Sequence, residues 1–277
     1  MHHRDDERLL PVVRNMATYA LDNSWEQAKR RLALLEQCHD PTTQRRINML
    51  GIQPGWRCLE VGAGGGSVAG WLCERVGPTG SVVATDVNTQ FLVDIKHTNF
   101  EVMTHDITSE SLPEGTFDFV HTRALLHHLP DPERVIHRMI GALRPGGWLL
   151  LEEPDFFPVL PSTSTIYSEF MTALNGTIVR VSGRDCFWAR ALPELVAKSG
   201  LYHVGGEGNF AVLQGGSPVA EFFRLTAEQM RDRVLASGAL SEERLDQAIA
   251  LLKDPDFWAF TDGMVAVWGQ RPTKPRL

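Results

Sequence analysis

The sequence predicts an α/β fold: a doubly wound, mostly parallel sheet of seven strands, with a helical N-terminal segment and helical cap insertions. Three observations lead there. From Ile52 onward, short apolar runs alternate with helical stretches, the pattern of repeated βαβ units. An apolar run, Arg57 to Val61, enters a glycine cluster (Gly62, Gly64, Gly65 and Gly66) that opens directly into a helical stretch. At 277 residues, 43% hydrophobic and 22% charged, the chain is ordinary for a globular protein with a sizeable core.

Residues 1–23 carry no strong period. Ser24 with Gln27 resembles a capping box, and Trp25, Ala28, Leu32 and Leu35 follow at helical spacing. Asp40-Pro41 offers an N-cap and a first-turn proline for a second helix ending at Gly51. Residues 1–50 are thus expected to form a helical lid segment, and 51–277 the α/β domain, with cap insertions at about 155–187 and 217–260. After the first strand, a helix over 67–76 stops at Gly77, and Pro78-Thr79-Gly80 turns the chain into a strand over 81–85 that Asp86 ends. A helix over 91–96 comes next, then strands over 100–104 and 117–121. Asp131-Pro132-Glu133 starts a helix to Leu143, and Arg144-Pro145-Gly146-Gly147 leads into a strand over 148–152. The alternation then breaks, with a helix around 167–174 in the first insertion and another over 192–199. A strand over 203–213, bulged at Gly205-Gly206, precedes two helical segments within 218–252 that part near Gly238, and the last strand is 264–269.

A net charge of −7 argues against a bulk polyanion as main partner, since non-specific binding to nucleic acid or anionic membrane rests on clustered Lys and Arg. The short basic clusters, Lys29-Arg30-Arg31 and Arg45-Arg46, read as solvated helix faces. Cys38, Cys58, Cys73 and Cys186 lack the spacing of a zinc site or a disulfide framework, and no apolar leader is legible. A reducing, cytoplasmic setting is therefore expected, with a monomer or homodimer that has neither nucleic-acid nor membrane partners, and no metal.

The glycines specify the ligand further. A dinucleotide fingerprint needs glycines at relative positions one, three and six, but position six from Gly62 is Ser67. Glu60, two residues ahead of Gly62, would repel a pyrophosphate and attract an ammonium. The pattern favours a cofactor with a cationic amino-acid tail and no phosphate. Asp86, at the end of the second strand, is where a carboxylate can accept both hydroxyls of a ribose; an N-cap role is the alternative.

Glu60-x-Gly62-x-Gly64-x-Gly66 resembles the first motif of the class I methyltransferases that use S-adenosylmethionine. Phe117 to Arg123 with Leu126 to Asp131 looks like the fourth strand and following loop of that family, and Leu143 to Gly147 like a further hallmark. The matched blocks cover residues 57–153 in order, and with Leu151 to Asp155 the chain is similar to type 11-like small-molecule methyltransferases of actinobacterial type. The resemblance implies a Rossmann-like sheet with the last strand antiparallel. It also implies that the cofactor's amino-acid end lies at Glu60, Gly62, Ala63, Gly64, Gly66 and Ser67, and at the backbone of Thr122 and Arg123. Asp106 would take the adenine amino group, Ile107 and Val87 would cover the adenine faces, and Tyr19 is a candidate lid residue. Methyl transfer to a small, apolar or aromatic metabolite follows, with O-methylation ahead of N- or C-methylation, and S-adenosylhomocysteine as product. His127 or His128, just beyond the fourth strand, is the candidate base for a hydroxyl acceptor, beside a plain loop-shaping role. The other readings are a changed reaction on the same fold, such as cyclisation or decarboxylation, and a non-catalytic cofactor-binding partner protein. The aromatics of the insertions, among them Phe156, Phe157, Tyr167, Phe170, Phe222, Phe223, Phe257, Trp258 and Phe260, divide between cap core and pocket wall.

Overall fold

The computed structural model describes residues 21, 23–159, 161–184 and 186–273; Tyr19 lies outside them. The strands, β1 (Arg57–Val61), β2 (Ser81–Asp86), β3 (Phe100–Thr104), β4 (Phe117–Arg123), β5 (Leu143–Asp155), β6 (Tyr202–Gln214) and β7 (Trp258–Gln270), form one sheet in the order β3-β2-β1-β4-β5-β7-β6. The first five are parallel, and β7 is antiparallel to both of its neighbours. The order runs outward in both directions from β1 and β4, so the switch point where open α/β sheets bind ligands lies at the carboxyl ends of those two strands. Cys58, Leu59, Val61, Phe119 and Val120 are buried, as expected of central parallel strands covered on both faces.

Three apolar cores hold the molecule. One packs Leu59, Val120, Met139 and Leu149 on one face of the sheet, and a second packs Ile47, Leu72, Phe119 and Leu150 on the other. The third belongs to the cap: α4 (Thr165–Ser182), α6 (Pro218–Ala236) and α7 (Glu242–Leu251) bury Phe170, Met171, Phe223, Met230 and Leu245 together. Each of these helices starts on a serine, Ser164, Ser217 or Ser241, whose hydroxyl accepts from a backbone N–H of the first turn. Of the remaining helices, α2 (Ser67–Val76) follows the glycines, α3 (Pro132–Ala142) is capped by Asp131 with proline in its first turn, and α5 (Leu192–Lys198) precedes β6.

The N-terminal segment departs from expectation. A single helix, α1 (Ala28–Met49), replaces the expected pair and carries Pro41 inside it. Proline withholds an N–H from the Gln37 carbonyl, but Leu32, Thr43, Arg46 and Ile47 bury one continuous face, and that packing outweighs the lost bond. The helix begins at Gln27 without a side-chain cap. The expected helix over 91–96 is a single 3₁₀ turn, Leu92–Asp94, anchored by buried Leu92. β5 starts at Leu143 because the Arg144–Gly147 stretch is an irregularity within the strand, where Gly147 passes so close to β4 that an added Cβ would lie 2.8 Å from the Phe117 carbonyl oxygen. Nor are the basic clusters solvated throughout: Arg46 is only 1% exposed and Arg31 is buried near the Phe222 ring. Among the described residues no helix is long and apolar enough to cross a membrane.

Candidate functional site

The turn from β1 into α2 takes its shape from left-handed glycines. Gly62, Gly64 and Gly66 have φ of 71°, 57° and 87°, a region in which a Cβ is costly. The Gly62 and Ala63 N–H groups donate to the Thr85 carbonyl at the end of β2 (2.8 and 3.0 Å), which brings the turn against the neighbouring strand end. Asp86 then binds it directly, accepting from Gly64 N–H (3.0 Å) and, through its other oxygen, from Asn88 N–H (2.9 Å). Burial pushes the Asp86 carboxyl up, and these N–H groups partly offset it. Beside Asp86, Val87 is 63% exposed, an apolar side chain facing outward at a strand end. One strand further, Asp106 accepts from Thr108 N–H and Oγ1 (2.9 and 2.6 Å) and from Ser109 Oγ (2.9 Å), while Ile107 is buried.

Helix α1 sets two carboxylates on this turn. Glu36 accepts from Ser67 N–H (3.3 Å), in the first turn of α2, where orphan N–H groups and the helix dipole favour an anion. Asp40, which the sequence casts as a helix cap, instead accepts from Ser67 Oγ (3.1 Å) and from Arg123 Nη2 (2.9 Å). Burial raises the Glu36 carboxyl, with Asp40 adding to the effect.

Below them runs a buried charge ladder. His121 on β4 lies between two carboxylates, Nδ1 2.7 Å from Glu60 Oε2 and Nε2 3.1 Å from Glu152 Oε2. Burial alone would depress this imidazole, but the two acids reverse that and raise it to about 9. Burial likewise disfavours the Glu152 anion, yet His121, Arg46 and Thr43 hold its carboxyl down at about 2. Arg46 spans from Glu152 to Glu207 and Asn209 on β6. Glu60, expected to face a ligand ammonium, is thus buried and engaged with His121. Thr122 is turned inward as well, donating to the Val61 carbonyl (2.8 Å), and Arg123 joins Asp40 and Thr43 (2.9 and 3.0 Å).

Beyond β4 the chain makes a strained turn. Ala124 has φ of 53°, unusual for a residue with a Cβ, and three consecutive N–H groups after it, Leu125, Leu126 and His127, donate to the Glu153 carboxylate (3.0, 2.8 and 3.2 Å). Glu153 also contacts His127 Nδ1 (2.7 Å), while the His128 ring lies 3.7 Å from that of His127 and burial lowers its basicity. Both histidines are buried, and neither lines the cavities described next.

At the same end of the sheet, a cavity of about 280 Å³ lies between Cys38 and His39 of α1, Phe210 of β6, Phe222 and Phe223 of α6, and Asp262 of β7. A larger hollow, about 380 Å³, holds Asp155, Phe157 and Arg190, with Arg190 already bound to Asp155 (2.6 and 3.0 Å). The aromatics divide accordingly: Tyr167, Phe170 and Phe257 are cap core, Phe222 and Phe223 are pocket wall, and Trp258 and Phe260 are exposed. No group of three His, Cys, Asp or Glu side chains among the described residues is placed to hold a metal.

Residues 7–202 match a family model described as a methyltransferase domain. The chain belongs to that methyltransferase-domain family. A methyltransferase of Strobilurus tenacellus is 32% identical over 106 residues, 36% of either chain. The ubiquinone biosynthesis O-methyltransferase of Hydrogenovibrio crunogenus is 36% identical over 95 residues, 33% of this chain and 39% of that one. The alignment spans little more than a third of the length of either relative. Among solved structures, phosphoethanolamine N-methyltransferase 2 of Haemonchus contortus, in complex with phosphomonomethylethanolamine and S-adenosylhomocysteine, superposes with a TM-score of 0.52 at 18% identity, covering 88% of this chain and 52% of that one. This is a likeness of fold, that of the class I methyltransferases. Within this methyltransferase fold, the contacts that Glu36, Asp40, His121, Glu152 and Asp262 make at the strand ends are not legible from the motifs alone. The pairing of β4 with β1 and β5 sets His121 between Glu60 and Glu152, while the packing of α1 and β7 brings Glu36, Asp40 and Asp262 to the strand ends.

Proposed function

We propose that this methyltransferase-family chain binds S-adenosylmethionine and transfers its methyl group to a small, apolar or aromatic molecule, with oxygen as the favoured acceptor atom and nitrogen or carbon next. The first turn of α2 carries the reading, because Ser67 N–H there already accommodates a carboxylate, that of Glu36. A carboxylate is the group that the cofactor's amino-acid end carries, and exchange for it would free Glu36 to join Asp40 as counter-charge to the ammonium. Asp86 would accept from the ribose hydroxyls, each carboxylate oxygen having a lone pair beyond its present bond, and exposed Val87 offers the adenine an apolar face. When bound, the cofactor supplies a methyl group already activated by its sulfonium. The chain's own task is to position an acceptor and exclude water, for which α1 and the cap helices act as the cover.

Calorimetric titration with S-adenosylhomocysteine tests the reading. Wild type binds, and Asp86→Ala weakens binding roughly 10- to 150-fold, the equivalent of one charge-assisted hydrogen bond at about 1.5 to 3 kcal/mol. A wild-type chain that binds no S-adenosylhomocysteine overturns the proposal. Unchanged affinity in the variant removes Asp86 from the site. Transfer of a labelled methyl group across a panel of hydroxyl and amine compounds then identifies the acceptor atom.

A further inference from the structure

The cavity beside α1 contains one carboxyl group, that of Asp262, among aromatic and aliphatic side chains and the uncharged polar side chains of Gln37, Asn209 and Thr261. Its walls are Pro218, Val219, Phe222 and Phe223 of α6, Asn209, Phe210 and Ala211 of β6, Met264 of β7, and the Gln37–His39 turn of α1; Asn209 is engaged with Arg46. Thr261 is occupied with the backbone, its hydroxyl 2.8 Å from the Asp262 carbonyl oxygen and 2.9 Å from Ala211 N. The neighbouring titratable groups are neutral near pH 7: burial pushes the Cys38 thiol up to about 11 and brings His39 down to about 4. Tyr167 of α4 faces Asp262 electrostatically and is also held neutral by burial, its hydroxyl donating to the Phe260 carbonyl (3.1 Å). From β5 the facing group is Asp155, a like charge whose own partner is Arg190. No Lys or Arg is among the described residues lining the cavity.

Among the described residues that line the cavity, no cation faces this carboxyl group, whose charge is favoured by its own backbone N–H alone, and ligand pockets of this kind combine apolar walls with a few polar fixing points. We propose that Asp262 is the anchor of the acceptor pocket and that the ligand it selects is an apolar or aromatic molecule bearing a basic amine. The ammonium of such a ligand supplies the missing counter-charge, and its apolar body fills the space between Phe210, Phe222 and Phe223. Burial and Asp155 raise the Asp262 carboxyl to about 7, so it is available as an anion above neutrality and is largely protonated at pH 5. This deepens the methyltransferase reading by naming a substrate class, and it is testable without turnover. His127 and His128 line neither this cavity nor the larger hollow, and of the titratable groups that do line this one, Cys38, His39 and Asp262, only Asp262 changes charge near neutral pH.

Toluene, benzyl alcohol and benzylamine share one ring and differ in their polar end, so they serve as probes. Amide chemical-shift titrations of the full chain, followed at residues 37–39 and 261–264, should show benzylamine binding at least tenfold more tightly than the other two at pH 8. That advantage should shrink at least tenfold at pH 5 and vanish in Asp262→Asn. Thermal melting above pH 7 should show the variant no less stable than wild type, because an unpaired carboxylate has been replaced by a neutral group of the same shape. The proposal is overturned if toluene or benzyl alcohol binds as tightly, if the advantage survives in Asp262→Asn or at pH 5, or if none of the probes shifts these amides. S-adenosylhomocysteine titration of the same samples separates the two readings: retained cofactor-product binding with a failed probe series rejects the pocket assignment alone.

Discussion

Along the carboxyl-end face of the sheet, the β1–β2 end and the β6–β7 end are built by different means. At β1, β2 and α2 the candidate site is built from backbone: left-handed glycines, the Ser67 N–H, and Asp86 fixing Gly64 from the next strand end. At β6, β7 and the cap, it is built from side chains converging from four separate elements around Asp262, over a helical core that belongs to the cap itself. A backbone site depends on a local chain conformation and so is conveyed by a short motif. A side-chain pocket depends on packing and leaves no contiguous trace. Helix α1 is the seam between them, setting Glu36 and Asp40 on the glycine turn while Arg46 reaches across Glu152 to β6.

Cutting that seam should have the largest effect. Glu152→Ala leaves Arg46 and His121 buried without their shared carboxylate and should cost about 3 to 5 kcal/mol in urea unfolding. Next comes pH. His121 is raised to about 9 in the folded chain against about 6.5 unfolded, so its contribution is complete below about pH 6.5 and is lost as pH climbs through about 9. Denaturation series between pH 7 and 10 should record a decline on the order of 3 kcal/mol that is absent from His121→Gln. The two ends then separate in the cap. Met171→Ala should lower stability by about 2 to 3 kcal/mol through the cavity it opens, yet leave S-adenosylhomocysteine affinity within about twofold. A parallel loss of affinity would mean that the ends are not independent. The smallest effect is a gain: Pro41→Ala should stabilise the chain by about 1 to 2 kcal/mol, because the residue is exposed within a continuous helix and alanine restores a bond to Gln37. If a new helix began at Pro41, the same substitution would be neutral or destabilising.

The parallel strands, the glycine turn and the capped helix after Asp131 are legible in the sequence because each rests on neighbours in the chain, such as Pro132 at the first turn and apolar runs of strand length. Pro41 misleads for the same reason. Its local preference is to start a helix, and only the buried face from Leu32 to Ile47 overrides it. Glu60 is read correctly as an acid at a strand end, but its partner, His121, is brought beside it by the β1–β4 register. Arg46 is read as a solvated charge because nothing near it in sequence announces Glu152 or Glu207.

The sequence by itself determined the α/β class, the strand-to-helix glycine turn and the acids at the ends of the second and third strands, since these depend on φ preference, alternation and capping over a few residues. Only the tertiary structure decided that α1 is one helix across the sheet, that His121 is shared between Glu60 and Glu152, and that Asp262 lines a cavity between α1, α6 and β6. Those features arise from contacts between residues far apart in the chain. Their energies, burial of charge and packing of side chains, exist only once the strands have found their order.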